Sequence, residues 1–121
     1  MQVEIAVDTW GPEKYAKPGE AQPDYSDPRL GGPSMNIQNT TKDVWKDVTL
    51  AVEVIDNKGG KKLLEKRFIG LWKPAERKSA PYPYGAEKTI ITIGISNRRF
   101  AFALYELPEK DSERPAIPER Q

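Results

Sequence analysis

Val48-Thr49-Leu50-Ala51-Val52-Glu53-Val54-Ile55-Asp56-Asn57-Lys58-Gly59-Gly60 decides the fold. Val48, Leu50, Val52 and Val54 recur at every second residue, with Thr49, Ala51, Glu53 and Ile55 between them. A period of two marks a strand with one face buried. Asp56-Asn57-Lys58-Gly59-Gly60 then supplies residues that tolerate positive φ, the chemistry of a hairpin loop. The return strand over 63–71 sets Leu64, Lys66, Phe68 and Gly70 against Leu63, Glu65, Arg67, Ile69 and Leu71. That alternation is imperfect and leaves the inward face open; Phe68 is read as core.

Outward from this hairpin the same signal recurs in short pieces. Val3, Ile5 and Val7 alternate with polar neighbours, and Met35-Asn36-Ile37-Gln38-Asn39 is a second short strand. Ile91, Ile93 and Ile95 share one face of a strand over 89–95. The tight turn Ser96-Asn97-Arg98 leads into Phe100, Phe102 and Leu104. Residues 73–88, with Pro74 and Pro81-Tyr82-Pro83-Tyr84-Gly85, read as a loop. No segment carries the i, i+3, i+4, i+7 stripe of an amphipathic helix. About six short strands separated by Gly/Pro turns predict an all-β, immunoglobulin-like antiparallel β-sandwich.

The 121 residues include 11 prolines and 9 glycines. Five prolines fall within 11–33, where no apolar periodicity runs, and each removes a backbone donor and favours extended geometry. The expected layout is an N-terminal strand within 1–10, a Pro/Gly-rich extended arm over 11–34, a sandwich body over 35–107 and a Pro-rich charged tail over 108–121.

The run from Asn39-Thr40 through Val54-Ile55-Asp56 to Gly59 resembles the small bacterial immunoglobulin-like modules called FxLYD-type domains. In those an Asn-Ser/Thr turn leads into a strand that ends in an apolar-Asp-x-x-Gly hairpin. Val52 stands where that motif has Phe, and Ile55 where it has Tyr. The resemblance implies a β-sandwich with a binding or scaffolding role, and no catalytic residues.

Absent residues exclude whole chemistries. There is no cysteine, hence no disulfide, thiolate nucleophile or iron–sulfur ligand, and no histidine for a Ser-His-Asp triad or an imidazole metal site. The carboxylate pairs Asp43/Asp47 and Asp24/Asp27 sit in turn-like context, where Asp is common for turn reasons alone. Asp56-Asn57 lacks the spacing and the terminal Glu of a calcium loop, and neither Gly31-Gly32 nor Gly59-Gly60 opens a helix that would cradle phosphate. No catalytic, cofactor or metal site is expected, and the chain is read as a non-enzyme. Nor is there an apolar run of the roughly 20 residues a membrane span needs. Met1-Gln2-Val3-Glu4 has neither the basic nor the apolar part of a secretory leader, so the expected compartment is the cytoplasm, with peripheral contact to a membrane complex allowed.

The formal net charge of +1 hides an uneven distribution. Residues 58–78 hold eight basic residues against Glu65 and Glu76, whereas 1–34 hold six acids against three bases and 105–121 five against three. Basic residues interleaved with Phe68 and Trp72 suit either an acidic protein surface or, less well for a chain without overall basic charge, single-stranded nucleic acid. Tyr and Trp outside strand interiors are the types that anchor interfaces. The candidate partner-binding set is therefore Lys61, Lys62, Lys66, Arg67, Trp72, Trp10, Tyr15, Tyr25, Tyr82 and Tyr84. At least one tryptophan is expected instead to cap an end of the sandwich.

The expected function is that of a non-catalytic accessory or structural subunit. It would dock onto a larger protein assembly, a multi-subunit or membrane-associated complex, through its body and its extended arms. The alternatives are a virion decoration protein, or a free-standing module that binds a peptide or single-stranded nucleic acid through residues 58–78.

Overall fold

A computed structural model describes residues 2–10, 34–83, 86–105 and 113–118. Nine strands are seen among them: β1 (Ile5–Trp10), β2 (Ser34–Asn39), β3 (Trp45–Ile55), β4 (Lys61–Trp72), β5 (Arg77–Pro81), β6 (Lys88–Ile95), β7 (Arg98–Leu104), β8 (Glu113–Pro115) and β9 (Ile117–Pro118). They form a four-stranded sheet, β5-β2-β1-β8, and a five-stranded sheet, β4-β3-β6-β7-β9, with every pairing antiparallel. The protein is an all-β sandwich. Its order β1-β2-β5 against β4-β3-β6-β7 matches strands A-B-E and C′-C-F-G of an immunoglobulin-type sandwich.

Alternation builds the core. Ile5 and Val7 of β1 and Met35 and Ile37 of β2 project inward from one sheet. Val48, Leu50 and Val52 of β3, Ile91, Ile93 and Ile95 of β6, and Phe102 and Leu104 of β7 project inward from the other. Fully burying each such side chain is worth about 1.5–3 kcal/mol. The loop expected to join β3 and β4 is held by Asp56. Its Oδ1 accepts from the backbone N–H of Lys58 and of Gly60, both at 2.8 Å, while Gly59 sits at φ 80°.

β4 settles the face that alternation left open, and its two alternating sets are both wrong. Leu50 lies opposite Arg67 and Val52 opposite Glu65, but Glu53 lies opposite Leu63, and Val48 opposite Gly70. Leu64 and Ile69 are thus the extra residues of two register shifts, and both pack on the core. Each bulge reverses the parity. The inward side of β4 carries Leu64, Glu65, Arg67 and Ile69, and the outward side carries Leu63, Lys66 and Phe68. Gly70, at φ 84°, lets the chain bend past the second shift.

Three expectations need correction. Phe68 is not core but 69% exposed. Residues 77–81 are a strand, not loop, because β5 pairs with β2 from Ser34–Pro81 to Gln38–Arg77. The C-terminal stretch contains β8 and β9, which pair with β1 and β7, so it is not wholly a tail. Residues 11–33 of the expected arm lie outside the described residues. Those residues include no helix, and so none long and apolar enough to cross a membrane.

Candidate functional site

The outer face of the five-stranded sheet follows from its registers. Three rows run across β4, β3, β6 and β7, Phe68–Thr49–Gly94–Arg99, Lys66–Ala51–Thr92–Ala101 and Leu63–Glu53–Ile90–Ala103, and a fourth, Lys61–Ile55–Lys88, crosses β4, β3 and β6. Ile117 of β9 extends the third row beside Ala103. Phe68, Leu63 and Ile117 are 69%, 54% and 59% exposed, large apolar groups left in water on one side of one sheet. Tyr105, just past β7, lies under the Lys88 ammonium, 5.5 Å from its ring centroid.

Small residues occupy the middle of this face, and the result is a depression of about 250 Å³. Thr49, Ala51, Thr92 and Gly94 form its floor, and Leu63, Lys66, Glu53 and Arg99 its rim. Gly94 marks a close approach: a Cβ there would meet the Thr49 hydroxyl on the neighbouring strand and force that side chain to move. Among the described residues, Lys61, Lys66, Lys88 and Arg99 set four cations on the face against one carboxylate, that of Glu53.

The structure divides the candidate residues. Lys61 and Lys66 stand exposed on this outer face. Lys62 lies opposite Val54 at the strand's start and is exposed there. Arg67 points to the inner side. It donates to the Ser79 carbonyl across the gap between the sheets (2.6 Å) and pairs with Glu65 (3.2 Å), closing the sandwich edge instead of meeting a partner. Trp72 is fully buried, so it offers no surface either. It meets Trp45 edge to face with ring centroids 5.4 Å apart, and the two indoles cap one end of the core. The Trp72 indole N–H donates to the Glu76 carbonyl (2.8 Å) and that of Trp45 to the Gln2 carbonyl (3.2 Å), so both polar tips are satisfied. Trp10 ends β1 opposite Ser34, and Tyr82 is half-buried just beyond β5. Tyr15, Tyr25 and Tyr84 lie outside the described residues, as do Asp24 and Asp27. The Asp43 carboxylate accepts from the Gln2 N–H (3.0 Å), and Asp47 sits at φ 52° where β3 is out of register with β4.

Sequence reasoning missed Phe68, Leu63, Gly94, Arg99 and Ile117 as surface features. The available signal was Thr49-x-Ala51, Thr92-x-Gly94 and Ala101-x-Ala103, small residues at the out-facing positions of three adjacent strands. One carboxylate among the described residues, in the β4–β5 turn, departs from its usual range. The backbone N–H of Lys73 binds the Glu76 carboxylate and chiefly holds its pKa below 4.5; slight burial opposes, and Lys78, at 3.3 Å, adds to the lowering. No family model, no curated protein and no solved structure matches the chain.

Proposed function

We propose that the chain is a non-catalytic accessory subunit, a β-sandwich that docks onto a larger protein assembly through the outer face of β4-β3-β6-β7. The observation that carries this reading is Phe68, held in solvent on the same face as Leu63 and a small-residue depression. Exposed apolar groups gathered on one face mark interaction surfaces, whereas single scattered ones do not. The immunoglobulin-type strand order and the resemblance to FxLYD-type modules support the same role. A cellular complex is the proposed setting; a virion shell would use the same surface.

The test is site-specific photo-crosslinking in the native source. A benzophenone side chain replaces Phe68 in one variant and the exposed Asn97 of the β6–β7 turn in another. A discrete crosslinked species from position 68 and none from position 97 is expected. Equal labelling from both, or none from 68, would refute the docking face. A second reading, single-stranded nucleic acid, is favoured by one observation: Phe68 shares its face with Lys61 and Lys66, as a stacking base and phosphates would require. It predicts oligonucleotide binding at about 50 mM salt that weakens steeply as salt rises.

A further inference from the structure

The sandwich edges are poor docking sites. β4, the edge of the larger sheet, has its register with β3 shifted at three places and turns Glu65 and Arg67 inward. β5 ends in Pro81, and the opposite edges, β8 and β9, contain Pro115 and Pro118 and are 3 and 2 residues long. Bulges, inward charges, prolines and short strands are the features that prevent another strand from adding to an edge. A partner is left the open face.

That face specifies its occupant by size, charge and spacing. The depression of about 250 Å³ has room for one aromatic or branched aliphatic side chain, since a cavity of about 150 Å³ already takes benzene. Among the described residues of the face, the cations Lys61, Lys66 and Arg99 outnumber the carboxylate of Glu53 and call for carboxylates opposite them. A second copy of this chain would set the same cations against one another. A nucleic-acid strand would meet Glu53 in the midst of the face. It would also find its two exposed aromatics, Phe68 and Tyr105, at opposite corners, too far apart to stack neighbouring bases. Lys66 on β4 and Arg99 on β7 flank the depression three strand spacings and one row apart, about 16 Å between their backbones. In an extended peptide, residues i−2 and i+2 point to the same side as residue i and are about 14 Å apart, a difference that the long Lys and Arg side chains span.

We propose, building on the docking face above, that its occupant is an extended acidic segment of a partner protein with the pattern acidic-x-apolar-x-acidic. The apolar side chain seats on Ala51, Thr92 and Gly94, and the two carboxylates pair with Lys66 and Arg99.

The experiment is an amide-resolved NMR titration of the full chain with a short synthetic peptide, a central Phe flanked at i−2 and i+2 by Glu and by Ser elsewhere. At about 50 mM salt the amides of Thr49, Ala51, Thr92, Gly94 and Ala101 should shift saturably. A peptide with Gln for Glu, and the Lys66→Glu/Arg99→Glu double variant, should each weaken binding about tenfold or more. Both substituted positions are exposed, and an unchanged thermal melt of the variant will show that its fold is intact. Absent shifts, shifts confined to another surface, or equal affinity for the Gln peptide would overturn the proposal. Tighter binding of an oligothymidine to the same amides would overturn it in favour of nucleic acid. Tighter peptide binding after residues 11–33 are replaced by a Gly/Ser linker would give the face to this chain's own segment. A crosslink at position 68 with a failed peptide titration removes the acidic pattern and leaves the docking face standing; failure of both removes the face.

Discussion

Asn39 is fully buried and both polar atoms of its side chain are hydrogen-bonded, so removing it should be costly. Its Oδ1 accepts from the Thr41 N–H (2.9 Å) and the Thr41 hydroxyl (2.7 Å), and its Nδ2 donates to the Asp43 carbonyl (2.9 Å). These bonds shape the crossing from β2 in one sheet to β3 in the other. The Asn39 backbone also ties in the β4–β5 turn, donating to the Glu76 carbonyl (3.2 Å) and accepting from the Ala75 N–H (2.8 Å). Asn39→Ala loses three side-chain bonds at about 1 kcal/mol net each and leaves the Thr41 donors in a site that water reaches poorly, for a total of about 3–4 kcal/mol. Against a whole-domain stability of about 5–15 kcal/mol that is a large share, equivalent to a fall in Tm of about 10–15 °C. Thr41→Val removes the hydroxyl's bonds to Asn39 and from the Asp43 N–H (3.2 Å), so it should cost less, about 1–2 kcal/mol. Urea denaturation followed by the emission of Trp45 and Trp72 measures both, because their indoles are buried in the folded state. A loss below about 1 kcal/mol in Asn39→Ala, or one no larger than in Thr41→Val, would refute the role given to these bonds.

Three further outcomes are expected. Val52→Asp and Ile93→Asp each place a carboxylate at a fully buried position without a partner, so neither variant should show a cooperative melt. The Glu76 pKa is lowered on folding, so its contribution to stability is complete above 4.5 and disappears as pH falls through the depressed value; in pH-dependent denaturation Glu76→Gln should flatten that acid limb and leave the slope near neutrality unchanged. Replacing Glu65 and Arg67 together by Leu should leave the urea midpoint unchanged or raised while sedimentation velocity detects self-association; a stable, strictly monomeric variant would show that these charges do not guard the edge.

The fold was legible wherever one face of a strand is buried without interruption. Val48, Leu50, Val52 and Val54 in β3, and Ile91, Ile93 and Ile95 in β6, announce both their strands and their inward faces. β4 was legible as a strand but not in orientation. Two register shifts change its parity, and they depend on pairing with β3, which lies outside any local pattern. β5, β8 and β9 gave no signal for a related reason. Arg77-Lys78-Ser79-Ala80-Pro81 buries only Ala80, and it is a strand because β2 offers it partners. The same shifts explain the exchange of roles between two aromatics. Phe68 falls opposite Thr49 and is turned to solvent, whereas Trp72 falls opposite Trp45 and is turned into the core. Lys61 and Lys66 stand exposed as expected, but Glu65 and Arg67 of the same strand turn inward, so charge alone did not give the outward face of β4.

The inward charges on β4 link edge and face. Glu65 and Arg67 lie on the core side of that strand with side chains 21% and 37% exposed, and Glu65 Oε2 and Arg67 Nε have no hydrogen-bond partner among the described residues. Such a pair gives little net stability, because desolvation offsets most of its attraction, and apolar residues of similar size would hold the edge at least as well. Its value lies in what it prevents. An apolar pair there would leave a 12-residue edge strand guarded by its register shifts alone, and so more open to another chain in extended form. With the edge charged and bulged, the accessible apolar surface of the larger sheet is its outer side, where Phe68 stands in solvent, Leu63 borders the depression at Gly94 and Lys66 and Arg99 flank it. The shifts that turn Arg67 inward also turn Phe68 outward, so one departure from regular pairing both closes the edge and builds the face.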